Sequence, residues 1–152
     1  MIIFVAKITN MKQLLTIAIV LTVIMGCGSS NIPPNMTPLD TLSFKEQVFD
    51  TDTVFSYNKS KPSVIYFYSP RVKNCEKQTP EISLIASIYS NEIYFYSVNY
   101  EENMKIAEAF KIKKLPAFVF VPLNANIQTV SGGVLSYHDL EKALDDIYGI
   151  NK

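Results

Sequence analysis

The chain has 152 residues, 48 % of them hydrophobic, with 14 lysines and arginines balanced by 14 aspartates and glutamates. That length holds one domain, and the balance leaves no basic patch arguing for nucleic acid. One histidine and two cysteines exclude a four-ligand zinc set, so no metal is expected, and no residue pattern calls for a cofactor.

In chain order, Met11, Lys12 and Gln13 precede an apolar run over residues 14–25. This reads as the charged and apolar parts of a secretion signal, the run being shorter than the roughly 20 residues of a membrane span. Ile24-Met25-Gly26-Cys27 closes it and resembles the lipobox of bacterial lipoproteins, which implies acylation of Cys27 as the first mature residue. An uncleaved apolar anchor is the competing reading. Either one places the domain outside the cytoplasmic membrane, on the periplasmic side or at the outer membrane. Several acyl chains on Cys27 hold a membrane firmly where one holds weakly. Loss of residues 1–26 removes Lys7 and Lys12 and no acid, so 14 basic and 14 acidic residues become 12 and 14. Residues 28–40, rich in Ser, Asn and Pro, read as a flexible tether, which leaves residues 41–152 as the domain.

Residues 42–57 start as a helix, expected to end near residues 50–53 where Thr51-Asp52-Thr53 breaks the pattern. Residues 63–68, apolar on both faces, suit a central strand covered on both sides. Residues 73–90 carry Ile82, Ile85, Ala86 and Tyr89 at helical spacing, broadened by Leu84 and Ile88, with Pro80 expected to kink the helix. A strand over 93–99, a helix over 102–110 with Met104, Ala107 and Phe110 on one side, and strands over 117–121 and 127–131 follow. Ser136 and Asp139 are spaced for a capping box, opening a last helix with Leu140, Leu144, Ile147 and Tyr148 on its apolar face. Strand and helix thus alternate until a closing hairpin and helix, which predicts a mixed sheet with helices on both faces.

Several local signatures in that order resemble the thioredoxin superfamily over residues 60–147. These are Ser63-Val64-Ile65-Tyr66-Phe67-Tyr68, the spacing from Cys75 to Pro80-Glu81, residues 98–103, residues 109–120 around Leu115-Pro116, and Gly133 with Leu135-Ser136. The resemblance implies an α/β thioredoxin-like fold, a central mixed sheet with helices on both faces, and a cis Leu115-Pro116 bond beside the turn at Val72. It also implies a degenerate Cys-x-x-Cys motif. Cys75 stands where the family has its second cysteine and Val72 replaces the attacking one. Arg71 replaces the usual tryptophan, and Tyr66 the buried acid.

If Cys27 is acylated, Cys75 is the one remaining thiol, and no disulfide can close within the molecule. Two readings of Cys75 stand: a buried, inert small residue with a raised pKa, or a redox thiol forming a mixed disulfide with a partner. Arg71, Val72, Leu115 and Pro116 border the groove in which family members bind extended peptides through the backbone, or they merely complete the fold. The tyrosines read as sheet and core material, and His138 as a surface residue. The preferred expectation is a lipid-anchored, non-catalytic module binding a protein or peptide; the runner-up is a thiol-disulfide oxidoreductase acting through Cys75 alone.

Overall fold

The computed structural model describes residues 32–48, 57, 59–124 and 126–150. Cys27, the signal segment and residues 50–53 lie outside the described residues; the first helix, expected to run on to residues 50–53, ends at Gln47. Among the described residues five strands form one sheet: β1 (Thr37–Pro38), β2 (Ser63–Tyr68), β3 (Tyr94–Asn99), β4 (Ala117–Val121) and β5 (Gln128–Ser131), in the order β1-β3-β2-β4-β5. Among the described residues four helices accompany them: α1 (Thr41–Gln47), α2 (Lys73–Tyr89), α3 (Met104–Ala109) and α4 (Tyr137–Tyr148).

β2 runs through the centre, parallel to β3 and antiparallel to β4. All six of its residues are buried, as expected of a continuous apolar run covered on both faces. Alternation along the strand divides them. Ile65 and Phe67 join Phe44 of α1 and Ile106 and Ala107 of α3 in one core, whereas Val64, Tyr66 and Tyr68 meet Ile82, Ile85 and Tyr89 of α2 and Leu140 and Leu144 of α4 in the other. Helices therefore cover both faces. The capping box at Ser136 is formed, its hydroxyl accepting from the Asp139 amide at 3.2 Å.

Three further details depart from the sequence reading. Thr37 and Pro38, assigned to the tether, form β1 against Tyr96 and Ser97 of β3. Leu39 beside them is buried and Asp40 caps α1 by its own box with Ser43. Burial of Leu39 and the orphan amides of a helix start draw this segment onto the domain. Leu84 is 51 % exposed and Met104 56 % exposed, because α2 and α3 turn those positions away from the sheet.

Candidate functional site

The site lies at the end of the sheet where β2 gives way to α2. Ser69-Pro70-Arg71-Val72 is a tight turn, with the Val72 amide donating to the Ser69 carbonyl at 3.2 Å and proline at its favoured second position. The Ser69 hydroxyl accepts from the Arg71 amide at 3.1 Å and donates to Glu101 Oε1 at 2.6 Å. Arg71 Nε lies 3.4 Å from the other oxygen of Glu101, so the acid after β3 fixes the turn after β2.

Val72 is the N-cap of α2 and offers no side-chain acceptor. A thiolate at that position would be favoured by the helix N-terminus; an isopropyl group has neither charge nor nucleophilicity. Cys75 sits one turn in, 2 % exposed, with its amide donating to the Val72 carbonyl at 2.8 Å. It is unpaired. Burial pushes its thiol up, against smaller opposing contributions from the Ser69 backbone and the Tyr66 hydroxyl.

Tyr66 completes this cluster, its hydroxyl donating toward the Cys75 carbonyl at 3.3 Å and lying 3.3 Å from Thr79 Oγ1, which itself donates to the same carbonyl at 2.8 Å. The ring is stacked on Tyr68 and Phe118. Burial holds the Tyr66 phenol well above its ordinary range, so it stays protonated at neutral pH. A buried carboxylate in this place could take the proton of Cys75; a phenol cannot.

The other wall comes from the segment entering β4. Leu115-Pro116 is cis, as the resemblance implied. Phe67 pairs with Ala117, so one step further the register sets Tyr68 opposite Pro116. Pro116 is buried and its carbonyl accepts from the Gly132 amide at 2.9 Å. Val72 and Leu115, both half-buried, pack against the same core. Among the described residues nothing takes up the backbone amide or carbonyl of Leu115. Arg71, by contrast, has its side chain 83 % exposed.

Two contributors escaped the sequence reading. Gln78, completely buried, donates to the Leu135 carbonyl at 3.0 Å and accepts from the Leu135 amide at 2.6 Å, clamping the loop before α4 onto α2. Its signal was an amide inside an apolar helical stripe, three residues after Cys75. Ile32 and Pro33 line an open cleft of about 320 Å³ together with Pro70, Cys75, Thr79 and Pro80. His138 is exposed in the first turn of α4. Among the described residues no cluster of metal-ligating side chains occurs and no helix is long and apolar enough to cross a membrane.

The thioredoxin family model matches residues 39–146. The chain is 29 % identical over 108 residues to the thioredoxin of Borreliella burgdorferi, covering 70 % of this chain and 92 % of that one. It is 32 % identical over 82 residues to an inactive TPR repeat-containing thioredoxin of Arabidopsis thaliana, covering 51 % of this chain and 12 % of that much longer one. Its fold is similar to that of chloroplastic thioredoxin z, with a TM-score of 0.60 over 74 % of this chain and 93 % of that one at 14 % identity.

Proposed function

Because the chain belongs to the thioredoxin family, and because it lacks that family's attacking thiol, we propose that it is a lipid-anchored, extracytoplasmic module that binds an extended protein or peptide segment without exchanging disulfides. The observation that carries this is Val72 at the N-cap of α2, three residues before a buried Cys75. Disulfide exchange needs an accessible thiolate to attack and a second thiol to resolve the mixed disulfide. Neither requirement is met: the accessible position holds a hydrocarbon and the remaining sulfur is shielded, with Tyr66 unable to deprotonate it. A relative described as inactive is in keeping with this loss.

Binding survives the loss, because an extended segment pairs with a backbone edge and not with a sulfur. The unengaged amide and carbonyl of Leu115 beside cis Pro116 supply such an edge. Anchoring rests on Cys27 at the end of the apolar segment. Extracts labelled with a clickable fatty acid should show an acylated chain that Cys27→Ser abolishes. Insulin reduction with dithiothreitol tests the central claim: the chain should perform no better than its Cys75→Ser variant, and activity lost in that variant would overturn it.

One observation favours the second reading, a mixed disulfide formed by Cys75 alone. Cys75 borders the cleft walled by Ile32 and Pro33, which gives a partner thiol a route of approach. Non-reducing gels after oxidant should then reveal a Cys75-dependent adduct, and its absence counts against this alternative.

A further inference from the structure

Four loops converge where β2 ends: residues 69–72, 100–103, 110–116 and 132–136. They carry Arg71, Lys111, Lys113 and Lys114 against Glu101 and Glu102. Both acids are engaged within the domain, Glu101 by Arg71 and Ser69, and Glu102 by the Asn99 side-chain amide at 2.8 Å. The three lysines are exposed and form no ion pair among the described residues. A chain with 14 charges of each sign therefore gathers unmatched positive charge at this one end.

The lysines are tied to the groove by the covalent chain. Consecutive Cα atoms are about 3.8 Å apart, so Lys114 and Lys113 precede the open backbone of Leu115 by one and two such steps. The Lys114 stem passes beside Gly132, where a Cβ would lie 3.0 Å from its Cδ and where the φ of +87° favours glycine. Alongside Lys114, the 132–136 loop has no charge and presents Val134, 41 % exposed, next to the clamped Leu135.

Resting on the peptide-binding reading above, we propose that the groove selects acidic extended segments, whose carboxylates pair with Lys111, Lys113 and Lys114. A strand alternates its side chains between two sides, so every second residue of a bound segment can turn a carboxylate toward the lysines. Opposite charge across the rim then sets the choice of partner and speeds encounter.

The test uses the full chain and three end-blocked, fluorescein-labelled peptides in which Val alternates with Glu, Gln or Lys, read by fluorescence polarisation. Each rim ion pair is worth about two- to fivefold in affinity, so the Glu peptide should bind about tenfold tighter than the Gln peptide, with the Lys peptide weakest. The advantage should shrink as salt rises from about 50 to about 300 mM. It should reverse toward the Lys peptide in the triple variant Lys111→Glu, Lys113→Glu, Lys114→Glu, whose exposed positions leave folding intact by circular dichroism. Equal binding of all three peptides overturns the acidic preference and leaves the groove standing. If the full chain binds none of them, the groove reading fails and the preference falls with it.

Discussion

Replacing Val72 by cysteine puts a second thiol at the N-cap of α2, three residues before Cys75. The introduced thiol starts from an ordinary pKa of about 8.5, which leaves about 3 % as thiolate at pH 7. A helix N-terminus favours a negative charge by about 0.3–1 kcal/mol, or about 0.2–0.7 pKa units at 1.36 kcal/mol per unit. Thiolate then rises to about 5–14 %. Arg71 adds little, because its side chain is 83 % exposed and already paired with Glu101; exposed pairs are weak and screened. Resolution by Cys75 remains slow, since Tyr66 cannot accept its proton. Val72→Cys should therefore give measurable but weak insulin reduction in the dithiothreitol-coupled turbidity assay, and adding Tyr66→Asp should raise it severalfold. Two results would refute this reasoning: wild type equal to Val72→Cys, or a double variant no faster than the single one while still folded.

Cys75→Ala should cost about 1 kcal/mol through the lost sulfur contacts, lowering the melting temperature by a few degrees while peptide affinity stays unchanged; a lost affinity at unchanged stability would make the thiol functional. Gln78→Ala strands the amide and carbonyl of Leu135 and should cost about 2–3 kcal/mol in chemical denaturation, whereas a change under about 0.5 kcal/mol would mean the clamp is idle. The phenols of Tyr57 and Tyr89 are pushed up to about 12 by burial, against an ordinary value of about 10 unfolded. Folding thus favours their protonated forms, a contribution complete below pH about 10 and lost as pH climbs toward 12. Absorbance of tyrosinate should accordingly rise together with unfolding across that window, and full ionisation near pH 10 in folded protein would contradict it.

Much of this fold is legible from local pattern. Residues 63–68 declare a doubly covered strand because no position among them is charged, and Ser136 with Asp139 marks a helix start by spacing alone. The residues of the candidate site are legible too, since Val72 and Tyr66 sit at fixed offsets from Cys75 and Pro80. β1 is not, because its two residues include a proline and its pairing is with distant β3. Gln78 gives no local hint of its purpose, for its partner lies 57 residues on. The lysines before Leu115 vanish in a net charge of zero, and only the convergence of four loops reveals them.

β1 matters beyond its two residues. It stands outermost beside β3, where a bare row of amides and carbonyls would otherwise invite another chain to stack. A version trimmed to begin at Ser60 keeps the central strands yet strips off this hem, and its β3 would be left to stick to its own kind. The few residues leading into the domain therefore act as a guard rail against edge-on clumping.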